Sequence, residues 1–203
     1  VLRNQHPQRE GELALGFLDL LEVDFLGRLV RAAESQGRSP SWKAIATSTE
    51  TARRVFGIDH PFAARRLHTD GHSIFLEAHR ETGDLALYDL VADNFAILDV
   101  LVSSFVATIE FENDQPKTWT PNALFCRVVI DPRRSFGRPI ESVSCAPVET
   151  LFDAWKAEMA NSARVAAWYE TDVEGVEQAV RFTHSGCCRR GWIVRGCKSS
   201  SCP

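Results

Sequence analysis

Apolar side chains recur along this chain with two different periods, and the switch from one to the other and back limits the fold more than any other feature. From Phe17, the positions Leu20, Leu21, Val23, Phe25, Leu26, Leu29, Val30 and Ala33 follow at spacings of three and four, the stripe of an amphipathic helix. Ala107-Thr108-Ile109-Glu110-Phe111-Glu112 instead alternates residue by residue, as a half-buried strand does. From Pro147 the helical spacing returns through Val148, Leu151, Phe152 and Trp155. Helical, extended and helical blocks in succession predict an α+β protein: a helical N-terminal unit running into a small antiparallel sheet, then a tri-helical C-terminal domain.

Punctuation residues place the elements. Gly37 stops the first helix; Ser39-Pro40-Ser41 caps a second, with proline at an early helical position, running through Trp42, Ile45, Ala46, Ala52, Val55 and Phe56 to Gly57. A short helix is expected from Pro61 to Arg66. Asp70-Gly71, between Leu67 and Ile74-Phe75-Leu76, carries the strongest two-residue hairpin signal and predicts paired strands there. Glu81-Thr82-Gly83-Asp84 predicts a turn and Leu85–Leu90 a strand, whereas Phe95–Phe105 reads equally as helix or strand. Asn113-Asp114-Gln115-Pro116 turns the chain toward Lys117–Thr120, and Arg127–Ile130 supplies another strand. Asn161-Ser162 caps a helix holding Val165, Ala166, Trp168 and Tyr169, and Asp172 caps one through Val173, Val176, Ala179, Val180 and Phe182. Three short helices in so few residues have the size of a helix-turn-helix relative. The expected divisions are 1–125, 126–183 and a tail, 184–203.

The 203 residues are 44% hydrophobic and 25% charged, which suits a folded core and excludes disordered or collagen-like classes. A net charge of −4 excludes a uniformly basic nucleic-acid coat. The tail is the exception, since 184–203 hold four basic and no acidic side chains and four of the six cysteines. No membrane-spanning run exists. Asp19, Glu22 and Asp24 break the apolar stretch Leu13–Leu26 where a secretory core must be uncharged, so a cytoplasmic protein with reduced thiols is expected.

The series Val129-Ile130-Asp131-Pro132, Ser135-Phe136-Gly137-Arg138-Pro139-Ile140, Ala146-Pro147-Val148-Glu149-Thr150-Leu151, Ser162-Ala163-Arg164-Val165-Ala166, Tyr169-Glu170 and Val173 to Phe182 resembles the small C-terminal domain of VapB-type antitoxins from bacterial toxin–antitoxin operons. Upstream, Phe17-Leu18-Asp19-Leu20-Leu21-Glu22, His60-Pro61-Phe62-Ala63 and His68-Thr69-Asp70-Gly71 are similar to longer members, whose N-terminal half resembles MerR regulators. In those members a DNA-reading helix-turn-helix precedes the Phe-Leu-Asp-Leu-Leu-Glu helix; only sixteen residues precede Phe17 here, so the reading helices are expected to be missing. Met159-Ala160 stands where the group favours one glycine, and the chain after Phe182 departs from the group. The resemblance implies a partner, a PIN-domain endoribonuclease toxin whose acidic cluster holds Mg²⁺, and an operator DNA, with assembly as a homodimer.

His68 and His72, with His60 and His79 nearby, are imidazoles at metal-compatible spacing, but no carboxylate pattern selects a geometry and surface or hairpin-stabilising histidines are expected. His184, Cys187, Cys188, Cys197 and Cys202 are zinc-capable types without finger spacing. No nucleotide loop, metalloprotease helix or nucleophile elbow occurs, so neither enzyme activity nor a cofactor or metal is expected. Arginine suits phosphate and base contact, which makes Arg133, Arg134, Arg138, Ser162 and Arg164 the DNA-binding candidates. Arg181, Arg189 and Arg190 are the candidates for entering a toxin's acidic site. The alternatives are a MerR-like regulator or dimerisation module with no toxin and, third, a small metal-dependent enzyme.

Overall fold

The computed structural model describes residues 15–37, 39–65, 67–85 and 95–185, with backbone alone at 68–70 and 95–97. The helices before the sheet are α1 (Phe17–Ser35), α2 (Trp42–Phe56), a 3-10 turn (Pro61–Ala63), α3 (Leu67–Thr82) and α4 (Phe95–Val106). The strands are β1 (Ile109–Glu112), β2 (Gln115–Trp119), β3 (Val128–Ile130) and β4 (Pro139–Glu141), followed by α5 (Val148–Ala157), α6 (Ser162–Trp168) and α7 (Val173–His184). The fold is α+β, with one four-stranded antiparallel sheet whose strands lie in chain order. The described chain divides into two compact units: 18–107 with 111–116, and 15–17 and 108–110 with 117–185.

The first unit is built on helices around four phenylalanines. Phe25 of α1 lies 5.0 Å from Phe62 and 5.2 Å from Phe105, and Phe62 stacks on Phe75 at 5.9 Å. All four are fully or almost fully buried, each burial stabilising by roughly 2–3 kcal/mol relative to exposure. α2 starts where expected: the Ser41 hydroxyl accepts the Ala44 N–H at 3.1 Å, and Gly57, at φ 70°, ends the helix by donating to the Arg53 carbonyl. Pro40 stands outside the helix, before its cap, rather than within the first turn.

The hairpin expected at Asp70-Gly71 is absent; both residues lie inside α3. Leu67, Gly71, Ile74, Phe75 and Ala78 are buried at helical spacing, and this stripe outweighs the local turn signal. A Cβ at Gly71 would lie 3.8 Å from Val102 of α4, an ordinary van der Waals contact. The expected helix Pro61–Arg66 is reduced to the 3-10 turn, and Phe95–Phe105 resolves as helix. The strand expected at Leu85–Leu90 lies, after its first residue, outside the described residues.

In the hairpin β1–β2, Asn113 and Asp114 take φ 51° and 59°, the left-handed pair of a tight two-residue turn. Gln115 and Pro116 therefore belong to β2 rather than to the turn. β3 and β4 pair with Val128 opposite Glu141 and Ile130 opposite Pro139. Against them pack α5, α6 and α7, through Val128, Val148, Leu151, Val165, Val176, Ala179, Val180 and Phe182. Both expected caps form: Asn161 Oδ1 accepts the Arg164 N–H at 3.1 Å and Asp172 Oδ1 accepts the Gly175 N–H at 2.7 Å. Between α5 and α6 the Met159-Ala160 pair adopts φ 50° and 67°, and the Ala160 N–H donates to the Trp155 carbonyl, so two residues fill the left-handed role that glycine performs best.

Candidate functional site

The hairpin β3–β4 is closed by an eight-residue loop, 131–138, that holds three of the five predicted DNA-binding residues. Its base is set by the Ile130–Pro139 pairing, and turns within it are closed by Arg134 N–H to Asp131 O, Gly137 N–H to Arg134 O and Arg138 N–H to Ser135 O. The buried Asp131 carboxylate organises the entry: Oδ1 accepts the Arg133 N–H at 2.9 Å and faces Arg133 Nε at 3.2 Å, and Oδ2 lies 3.7 Å from Arg134 Nε. One carboxylate thus serves two guanidiniums. Arg138 reaches Glu149, in the first turn of α5, at 3.8 Å. Arg133, Arg134 and Arg138 remain 50%, 53% and 60% exposed.

Phe136 lies in the same loop as these arginines, with 80% of its surface in solvent. Ser135, Phe136 and Gly137 have φ of 47°, 56° and 72°, three consecutive left-handed residues of which only the last is free of a Cβ penalty. Each of the other two costs roughly 1–2 kcal/mol, and the exposed ring forgoes the stabilisation its burial would bring. Strain of this kind persists where the surrounding structure imposes it, here through the turns and the paired strands.

The remaining predicted residues are dispersed among other contacts. The Ser162 hydroxyl accepts the Trp155 indole N–H at 3.2 Å, fixing α6 to α5. Arg164 pairs with Glu158 at 3.0 Å and covers the Trp168 ring at 5.4 Å. Arg181 lies along α7 within 3.5 Å of Glu174 and 3.9 Å of Glu177 while staying more than half exposed. Arg189 and Arg190, like the cysteines of the tail, lie outside the described residues. His184, expected as the first tail residue, is instead the last residue of α7, its ring edge-on to Phe152 at 5.1 Å.

Two buried polar clusters escaped the sequence reading. In the second unit the fully buried Glu141 accepts from Arg127 Nε at 3.0 Å, the Ser144 N–H and hydroxyl at 2.8 Å each and the Thr171 hydroxyl at 2.9 Å. Arg127 also donates to Asp172 at 2.9 Å, and its own N–H donates to Gln178 Oε1. Burial pushes the Glu141 carboxyl up, but Ser144 and Thr171 together hold it down by more, below its ordinary 4.5. The Gly175 N–H and Arg127 hold Asp172 below its ordinary 3.8.

In the first unit, His60 Nδ1 lies 3.4 Å from Glu22 Oε2 and 3.7 Å from Asp19 Oδ1, with both carboxylates fully buried on α1. Glu22 Oε1 accepts the Phe62 N–H. The Glu22 contact raises the imidazole above its ordinary 6.5 against the opposing effect of burial. His60 is therefore a mostly enclosed counter-ion rather than a surface histidine. His79 Nδ1 meets the Asp84 carbonyl at 2.9 Å. Among the described residues no group of His, Cys, Asp and Glu is arranged to hold a metal ion, and no helix is long and apolar enough to cross a membrane.

No protein-family model and no curated protein matches the chain. The X-ray crystal structure of Rv2018 from Mycobacterium tuberculosis superposes with a TM-score of 0.67 at 21% sequence identity, covering 86% of this chain and 83% of that one. At that identity the likeness is one of fold: this chain is similar in architecture to Rv2018.

Proposed function

We propose that the chain is an antitoxin that binds and neutralises a PIN-domain endoribonuclease in the cytoplasm and, as a homodimer, represses its own operon by contacting operator DNA. The observation that carries this reading is positional. The antitoxin-like series runs in order along β3, the 131–138 loop, β4, α5, α6 and α7, and β3 and the three helices share one hydrophobic core. The resembled stretch thus coincides with a folded piece of the molecule rather than with scattered identities.

Neutralisation draws on an exchange of partners. Arg181 holds two exposed carboxylates at 3.5 and 3.9 Å, contacts worth little in water. A guanidinium so placed can leave them for a denser acidic site, where a bidentate contact competes with the metal. Co-expression with a PIN-domain ribonuclease encoded beside the gene tests the reading: RNA cleavage is expected to be suppressed, and a ribonuclease left fully active overturns it. Arg181→Ala is expected to weaken the purified complex by about tenfold or more, by titration calorimetry.

A further inference from the structure

We propose that the 131–138 loop is a wedge for duplex DNA, in which the Phe136 ring enters between base steps while Arg133, Arg134 and Arg138 engage the flanking phosphates. The inference rests on the DNA-binding half of the function proposed above and assigns it to one element. Three independent features meet there: an aromatic ring 80% exposed, a left-handed backbone at Ser135 and Phe136 that projects it, and three guanidiniums within three residues of the ring. Asp131, the one acid of the loop, is shared by two of those arginines, and all three guanidiniums stay at least half exposed.

The chemistry of the patch selects the partner. A protein hot spot centres on an aromatic anchor whose neighbours are uncharged and exclude water. Here the exposed ring shares its loop with three cations, each at least half exposed. A protein receiving it would need an apolar slot ringed by carboxylates. Duplex DNA presents that arrangement at every step, with flat apolar base faces bounded on both sides by phosphates. Phenylalanine has no polar atom to read a base edge; it suits unstacking, which apolar wedges perform in the minor groove beside arginines. Because β3–β4 pairing and the internal turns already fix the loop, little ordering is left to be lost on binding.

The strained backbone separates folding from binding in the test. Phe136→Gly removes the ring at a position where glycine relieves the left-handed strain, so it is expected to melt no lower than the parent chain. Binding would be read by fluorescence anisotropy on a labelled duplex from upstream of the gene and on a scrambled duplex, with 2-aminopurine reporting unstacking. The parent is expected to bind both duplexes and to raise 2-aminopurine emission. Phe136→Gly should bind at least tenfold more weakly with no rise in emission. Arg133→Ser with Arg134→Ser should lower the slope of log affinity against log salt by about 2, one phosphate for each arginine. Arg54→Ser, in the first unit, should change neither readout.

A chain that binds neither duplex, or a Phe136→Gly protein that binds and unstacks like the parent, overturns the proposal. So do loop variants that keep DNA affinity while losing ribonuclease inhibition, which would make the loop a toxin contact. Ribonuclease inhibition measured on the same preparations keeps the two proposals apart: inhibition without DNA binding sinks the wedge alone, and Phe136-dependent DNA binding without inhibition sinks neutralisation alone.

Discussion

His60 shows how much one side chain is asked to do in the first unit. Two carboxylates on α1, Asp19 and Glu22, are fully buried, and the imidazole is the cation beside both. Leaving buried charge without its counter-ion costs several kcal/mol, so His60→Ala is expected to destabilise the unit by about 3 kcal/mol at pH 6 in urea denaturation. The sign with pH follows from the direction of the histidine's shift. A raised imidazole contributes stability that is whole below 6.5 and fades as pH rises through its higher folded value. The gap between the parent and His60→Ala should therefore narrow on going to alkaline pH; a constant gap would remove the counter-ion role.

At the scale of elements, short-range signals were legible where the deciding partner is close in sequence. Ser41, Asn161 and Asp172 each cap a helix by accepting an N–H three residues ahead, and each can be read from the chain. At Asp70-Gly71 the local turn signal loses to the packing of α3 against α2 and α4, partners that lie across tertiary distance. The polar clusters were illegible for the same reason: Arg127 meets Glu141 and Asp172 over 14 and 45 residues, and Glu22 meets Phe62 over 40. Asp19 and Glu22 do interrupt an apolar helix face, which argues against a secretory leader but does not name their partner. Phe136 was visible as part of a motif, but its exposure and backbone were not. Gly175 in α7 makes the tertiary contribution measurable. Alanine in a helix is ordinarily better than glycine by about 1 kcal/mol, yet a Cβ here would lie 2.8 Å from Thr171 Oγ1 and 3.0 Å from Glu141 Oε1. Gly175→Ala is expected to destabilise the second unit by about 1–3 kcal/mol, and a rise in melting temperature would contradict the packing described.

Across the whole molecule the two units answer pH in opposite senses. The first loses the His60 contribution as pH climbs above 6.5. The second depends on carboxylates held low, so the contributions of Glu141 and Asp172 are complete above about 4.5 and disappear as pH falls through their folded values. Tryptophan fluorescence separates them: Trp42 lies in the first unit, whereas Trp119, Trp155 and Trp168 lie in the second. Melting followed with Trp42 alone retained is expected to weaken toward alkaline pH, and melting followed with only Trp119, Trp155 and Trp168 retained toward acid. Parallel profiles would show that neither cluster governs its unit.

The Arg127 cluster also orders events in time. The last partners of its guanidinium, Thr171 and Asp172, stand 44 and 45 residues beyond the arginine. On a growing chain the β3–β4 hairpin can be complete while Glu141 still lacks the Thr171 hydroxyl and Arg127 the Asp172 carboxylate. The hairpin is therefore held in an unfinished electrostatic state until α7 begins, and its loop is presented on a rigid base only after almost the whole unit has been synthesised. Such a closure late in the chain makes the unit cooperative: opening α7 withdraws ligands from the hairpin, and neither piece keeps its full stability without the other.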